Sequence, residues 1–435
     1  MSRKGWPWTT RNLGGGTLFY GGASFRYTPF DFDPSTIQEF CDLPVAWPKI
    51  VGDLDLEYGV LEKQLGVSGG DPASPGANTR LPPHSFSEPA QILKSCSESK
   101  GYRPFPTPLA IRLRDQSGVQ KCIRESLCIT EQCRFGGKSD VVSVFLRPIV
   151  DMPHVLLLTA VKAVKLTQSK SKSISGLAVL DLTSGNTGVI RAKNFVICGN
   201  AIQSAALLLR SDTTSSPNGV GNENDLVGRG LTMKMSAYVS GSRRDIPRPP
   251  TYNGPFSTIS FTDHYMDSSC PGGVGGLIYE AKADNDEFYE SSGLKIRLET
   301  IISDLPSLTN RIQLSSERNK FGLKNISIDY TPSKIDKIRL SIMINHTREL
   351  LRESGCSDII TEPSDFHRGS THLHGTCRMG TSPNNSVVDP YCRVHSAENL
   401  YVIDGSVFPY PGGLNPTLTI QANALRCASH LLSLA

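Results

Sequence analysis

Two stretches near the end of the chain decide its fold: "STHLHGTCRMG", residues 370–380, and "VIDGSVFPYPGGLNPTLT", residues 402–419. In the first, His372 and His374 stand two apart before a Gly-Thr turn, so in extended backbone both rings share one face. Two imidazoles can bind a metal, but no Glu or third ligand sits nearby in sequence, and no metal site is assigned. One imidazole titrating near neutrality suits proton removal from an alcohol. A histidine that merely packs in a loop is the plainer alternative. In the second stretch an apolar strand ends at Asp404 and Gly405, and a glycine-rich loop carries Asn415. The closing helix starts at Pro416 or Thr417, where proline suits the first turn. A side-chain amide beside a helix N-terminus can hold a carbonyl or a developing anion. A plain helix entry explains Asn before Pro equally well until His372 and Asn415 are taken together.

The rest of the chain sets bounds. Its 435 residues suffice for two domains and a substantial core. With 38% hydrophobic and 20% charged residues it has a globular composition. A net charge of +4 without a basic block argues against nucleic acid as a partner. No apolar run reaches the ~20 residues of a membrane span, and no signal-peptide core opens the sequence. The compartment therefore stays unassigned. Eleven scattered cysteines without C-x-x-C fit neither a disulfide framework nor a zinc ribbon.

Upstream, Leu54, Leu56, Val60, Leu61 and Leu65 recur at helical spacing, with Gly69 and Gly70 expected to end that helix. "PAQILKSCSESKG" predicts a second helix. From residue 154 the pattern turns to strands, and the apolar strand 195–198 runs into the amphipathic "NAIQSAALLLRS". Strand, small-residue turn and helix together aim N–H groups at an anionic ligand. Residues 232–335 alternate as an antiparallel sheet with one wet face would. "KIDKIRLSIMINHTRELLRESG" predicts a long helix ending at Gly355.

"RNLGGGTLFYGGASFRY", residues 11–27, has five glycines in nine positions. It is not a dinucleotide fingerprint. Gly14, Gly16 and Gly21 give the wrong last spacing, no buried strand precedes them, and no Gly-Lys-Ser/Thr follows.

Together these segments carry a resemblance. "HLHGTCRMG" followed by "VIDGSVFP…NPTLT" resembles the C-terminal segment of the glucose–methanol–choline (GMC) flavin oxidoreductases, nearest the branch of pyranose oxidase and the flavin sugar dehydrogenases. "ICGNAIQSAALLLRS" is similar to the family's second signature, and "GGGTLFYGGASFRY" to its second glycine segment, which passes the flavin ring. The family's G-x-G-x-x-G lies roughly a hundred residues earlier and is absent here. The expectation is either a piece of a longer chain or a protein without its ADP-cradling βαβ unit.

The resemblance implies an α/β fold, a partial Rossmann-like FAD domain (1–40, 141–235 and 372–435) interleaved with an antiparallel-sheet substrate domain (41–140 and 236–371). It implies non-covalent FAD, because Phe19 stands where tethering members have histidine. Gly15, Gly16, Gly21, Gly22, Val164, Asp404, Gly405, Pro416 and Thr417 would contact the cofactor, with Val164 at the adenine. His372 would take the hydroxyl proton of a sugar or other alcohol while hydride passes to flavin N5, and Asn415 would bond the substrate oxygen. The electrons would go on to O2 or a quinone-like acceptor. Asn200 replaces a usual glycine and would bring its side chain towards the cofactor. Cys122, Cys128 and Cys133 resemble part of an iron–sulfur loop, but Lys121 replaces a paired cysteine and free thiols are expected. A remnant without flavin and a flavin-containing lyase are the alternative functions.

Overall fold

The computed structural model describes residues 9–72, 74, 77–115, 120–125, 132–169, 171–214, 216–249, 253–282, 293–362 and 372–434. Among these are helices α1 (Pro29–Phe32), α2 (Asp55–Leu65), α3 (Glu88–Glu98), α4 (Asn200–Arg210), α5 (Lys334–Glu353) and α6 (Thr417–Ser433). The strands are β1 (Phe105–Pro106), β2 (Val161–Gln168), β3 (Ile174–Asp181), β4 (Thr187–Ile190), β5 (Phe195–Ile197), β6 (Met235–Arg243) and β7 (Ile259–Phe261). They continue with β8 (Gly276–Glu280), β9 (Leu294–Ile302), β10 (Arg311–Arg318), β11 (Lys324–Asp329), β12 (Ser357–Thr361) and β13 (Leu400–Val402).

The apolar strands that end the two signature segments come together. β5 and β13 pair in parallel, Phe195 opposite Leu400 and Ile197 opposite Val402. Each runs directly into a turn that faces the other. Asn200 has a positive φ of 62°, and its side-chain oxygen accepts from the N–H groups of Ile202 (2.9 Å) and Gln203 (3.3 Å). This side chain thus turns back to cap α4. On the other turn, the Asp404 carboxylate accepts from Ser406 N–H (2.8 Å) and from the Ser204 hydroxyl of α4 (2.5 Å). The two turns are thus locked together by a buried carboxylate. β2, β3 and β4 form a separate antiparallel sheet.

The largest sheet has the order β1-β7-β8-β9-β6-β12 with antiparallel neighbours. The expectation of one wet face fails for it. Met235, Ala237, Val239, Ile278, Ile296 and Leu298 pack one face against α3 and α5. Leu277, Tyr279 and Ile301 on the opposite face belong to the main core. Both faces are therefore buried, and the few polar side chains on the second face stand out. α5 opens with a capping box from Ser333 and Asp336.

α2 ends earlier than its glycine pair suggested. Gly66, at φ 64°, takes the left-handed cap, and Leu56 and Val60 are exposed while Leu54, Leu61 and Leu65 are buried. The inward face of α2 carries Glu62, whose side chain is fully buried. It binds Arg26 at 2.7 and 2.9 Å and Arg80 at 2.9 Å, joining the end of the glycine segment to α2. Burial pushes the Glu62 carboxyl up, but the two guanidinium groups outweigh it and hold the group below its usual range. Glu62→Ala leaves buried Arg80 without a carboxylate and Arg26 with only the exposed Asp55, and is expected to cost about 3–5 kcal/mol in urea unfolding. Because the folded-state pKa is depressed, this contribution is present above the unfolded carboxyl's pKa and is lost as pH falls through the folded value. A stability–pH curve steeper for wild type than for Glu62→Gln checks the sign.

Candidate active site

His372 and Asn415 belong to segments that meet around one buried lysine. Thr232 and His374 bridge antiparallel, with N–H···O=C distances of 3.1 and 3.0 Å. Two residues beyond Thr232 lies Lys234, whose charge acts on His372. Lys234 is fully buried, and its ammonium donates to the Leu414 carbonyl and lies 3.5 Å from the Tyr27 hydroxyl. Its backbone has a positive φ of 53°, fixed by Asp304, whose carboxylate accepts from Met233 and Lys234 N–H at 2.8 Å. No carboxylate lies within salt-bridge distance of the ammonium among the described residues. Burial therefore pulls its pKa down to about 7, against the opposing pull of Asp31 and Asp304.

His372 is partly exposed and His374 fully buried. Burial first, and the Lys234 charge second, push the His372 imidazole well below its usual range. At neutral pH it is the neutral, proton-accepting form. His374 stacks on Phe408 with centroids 5.4 Å apart and is held neutral by the same causes. Of the two histidines, only His372 offers any surface.

The loop before Asn415 is fastened residue by residue. The Tyr27 hydroxyl donates to Pro411 C=O. Gly413 N–H donates to the Tyr265 hydroxyl (2.9 Å) and to Asp31 (3.2 Å), and Tyr265 donates to Asp31 (2.5 Å). A Cβ on Gly412 would come within 2.8 Å of Tyr27, and one on Gly413 within 2.7 Å of Tyr265, so the tyrosines require the glycines. Tyr58 from α2 meets Thr419 at 2.8 Å and fixes the first turn of α6. Asn415 is thereby buried with its Oδ1 unpartnered.

Three observations bear on a flavin nucleotide. No side chain caps α6, so the first-turn N–H groups that follow Pro416, from Thr417 on, are left for a ligand. Gly16 has an ordinary φ and nothing within 4 Å of a built Cβ, so neither backbone nor protein packing explains a glycine there; Gly15 also faces open space. Val164 is skipped in the β2–β3 register, which leaves its backbone groups outside that ladder. Near it a cleft of about 700 Å³ is lined by Ala163, Phe195, Ile197, Cys198 and Gly199, and by the cations Arg11, Lys162 and Arg210. The residues present fit the group: a flat open glycine turn, an uncapped helix start, and an apolar cleft with cations suited to phosphates.

Other expected contacts are placed differently. The space that Gly21 and Gly22 leave is taken by Phe256 and Ile111, and Gly405 sits against Leu373 and His374. These three glycines serve close packing of protein on protein. The Asp404 carboxylate is occupied by Ser204 and Ser406. Cys122 and Cys133 are half-buried, and Cys128 lies outside the described residues. His264, Asp267 and His346 have ligand atoms within 4.8 Å of one another, yet the two rings stack at 3.6 Å. Two imidazoles sharing an ion at about 2 Å hold their centroids about 5 Å apart, so this group is a histidine pair sharing a carboxylate.

Sequence reading missed the polar row on the inner face of the large sheet. Tyr238 and Tyr279 stand directly across from Glu299 on the two flanking strands. The Tyr279 hydroxyl donates to Glu299. Lys234, Tyr27, Asp31 and Tyr265 were missed too; only the "PGG" run hinted at close neighbours.

Comparison with known proteins follows the same lines. The N-terminal and C-terminal models of the GMC oxidoreductases match residues 76–236 and 306–424. The chain is 50% identical to 6'''-hydroxyparomomycin C oxidase of Streptomyces lividus, over 98% of this chain and 80% of that protein. It is also 50% identical to paromamine 6'-oxidase of Streptomyces fradiae, over 98% and 79%. The fold is that of pyridoxine 4-oxidase from Mesorbium loti, at a TM-score of 0.68 and 18% identity, over 97% of this chain and 84% of that one. No helix among the described residues is long and apolar enough to cross a membrane. With half its residues shared over nearly its whole length, and with both family models matched, the chain belongs to the GMC oxidoreductase family and is an oxidoreductase.

Proposed function

We propose that the protein oxidises a CH–OH group of an amino sugar of the paromamine kind to the carbonyl, with His372 as general base. The observation that carries this reading is that buried Lys234 both acts on His372, which is held neutral, and is bonded to the loop that presents Asn415. The names of the two half-identical relatives point the substrate class to aminoglycosides, and the 6'-hydroxyl of paromamine is the first candidate.

FAD, held non-covalently by Gly15, Gly16, Val164, Pro416 and Thr417, would supply the two-electron acceptor for the hydride. His372 takes the hydroxyl proton, which raises electron density at the carbon and makes it a better hydride donor. Asn415 holds the oxygen that becomes the carbonyl, and the clamp on residues 411–414 fixes the distance between the two groups. The Lys234 ammonium, without a carboxylate partner, favours negative charge on that oxygen. O2 or a quinone-like compound would take the electrons afterwards.

The test is anaerobic mixing of the flavin-loaded protein with paromamine, followed by the visible flavin band and by detection of the aldehyde. His372→Ala is expected to lower kcat by about 10²–10⁴ with the oxidised flavin band unchanged. An undiminished rate in that variant would remove the base from the mechanism. The acid limb of kcat/KM reports His372 and is expected well below pH 6.5. Lys234→Met removes the positive charge that helps depress this pKa, so the limb should move to higher pH. A limb that stays in place would show that the lysine does not act on the base.

A further inference from the structure

The inner face of the large sheet carries a carboxyl group whose charge the fold does not balance. Met235, Ala237 and Val239 of β6 and Ile296 and Leu298 of β9 pack towards the helices, so by the two-residue period Ser236, Tyr238 and Glu299 point the other way. Glu299 stands directly across from Tyr238 on one side and from Tyr279 on the other, and accepts the Tyr279 hydroxyl. It is 4% exposed. Other buried carboxylates are closed by the protein itself. Glu62 has two arginines, Glu280 the N–H and hydroxyl of Thr258, and Asp304 two N–H groups and the Tyr330 hydroxyl. Glu299 has neither a backbone N–H nor an ion pair among the described residues. Arg297, the cation on the same strand, is bound to Glu362 at 2.7 Å and lies over the Tyr238 ring. Burial accordingly pushes the Glu299 carboxyl above its usual range: its ionised form lacks a counter-charge.

The position of this group relates it to the catalytic loop. β6 begins one residue after Lys234, whose ammonium bonds the Leu414 carbonyl beside Asn415. Tyr238 lies four residues further on, ~13 Å along the strand, and Glu299 is its neighbour across the pairing. The face is closed near Ser236 and reaches water at the half-buried Tyr238 and Arg297. A molecule lying along it from that open end towards Lys234 passes Glu299. We propose that Glu299, flanked by Tyr238 and Tyr279, is a specificity-determining residue that receives an ammonium group of the substrate. This rests on the reading of the substrate as an amino sugar. An ammonium brings three donors and no acceptor, which suits a carboxylate between phenol oxygens and aromatic rings. It also supplies the missing counter-charge, whereas a sugar with only hydroxyls leaves Glu299 as it was. Selection for the charged sugar then comes from one buried group that the protein alone leaves uncompensated.

A comparison of two substrates tests this. Flavin-loaded wild type and Glu299→Gln, which keeps the shape and an acceptor for Tyr279, are assayed with paromamine and with its analogue bearing hydroxyls in place of the ammonium groups. Glu299→Gln is expected to lower kcat/KM for paromamine at least about 30-fold, the cost of unpairing a buried charge, and to change that for the neutral analogue less than about threefold. Tyr279→Phe, which loosens the carboxylate without removing it, should show the same selectivity at about three- to tenfold. An equal loss on both compounds would assign Glu299 to the fold alone and overturn the proposal, as would no loss on either. Calorimetric binding of 6'-deoxyparomamine, which has no hydroxyl to oxidise at that carbon, gives the same comparison without turnover. Its affinity should fall at least about 30-fold in Glu299→Gln, and an unchanged affinity would overturn the proposal. If wild type binds this compound through Glu299 yet oxidises neither sugar, the oxidation reading fails and the ammonium site stands.

Discussion

The active site depends on four residues, Pro411 to Leu414, being held from below by buried polar side chains. Tyr27 and Asp31 come from the segment after the glycine loop, Tyr265 from the turn after β7, and Lys234 from the start of β6. Three distant parts of the chain thus spend hydrogen bonds on one short loop. Buried polar networks are stabilising only when each member is satisfied, since an orphaned buried group costs about 1–3 kcal/mol. The clamp is therefore cooperative. Loss of one hydroxyl leaves its partners buried and unpaired. What the network yields is geometric: the end of the C-terminal loop cannot shift without breaking contacts to three other segments.

The same clamp explains why a lysine is tolerated in the core. A buried ammonium without a carboxylate would normally be excluded. Lys234 survives because the Leu414 carbonyl and the Tyr27 hydroxyl solvate it and because it can lose its proton near neutral pH. Its charge is then available to the chemistry rather than cancelled within the protein. Glu62 shows the opposite arrangement, with two arginines on one buried carboxylate and Asp55 as the second anion on Arg26. The first kind of site is poised and the second is structural.

What could be read in the sequence followed from local chemistry. The fold class, the family and the strand–turn–helix segments lie in short runs whose residue types carry their own reasons, such as glycine at tight turns and Ser or Pro at helix starts. The long helix at 334–353 and the strands at 195 and 400 are periodic enough to be seen directly. What could not be read is long-range. Nothing near Lys234 in sequence announces that its charge acts on His372, because the bridge from Thr232 to His374 joins residues 142 apart. Nor does the sequence announce that the Asn200 side chain caps α4. The wet face expected of the large sheet failed because alternation shows that two faces differ, not that one meets water. That the missing side chains of Gly21, Gly22 and Gly405 make room for protein is likewise visible only in the packing.

The parallel pair β5–β13 is covered unevenly, with β13 buried and β5 partly open. Parallel strands are normally buried on both faces, yet Val196 in β5 is 49% exposed, and Phe195 and Ile197 line the open cleft. The residues that turn α4 towards Asp404 leave from this same pair. The part of the molecule that would meet the nucleotide is then also the part with apolar surface still in contact with water. Any ligand that settles there buries that surface and stabilises the fold by its own binding free energy. Cofactor affinity and fold stability are in this way one quantity seen from two sides. A weakly held nucleotide and a loosely packed β5 would accompany each other, while the clamp under Asn415, closed by protein groups alone, would be largely indifferent to both.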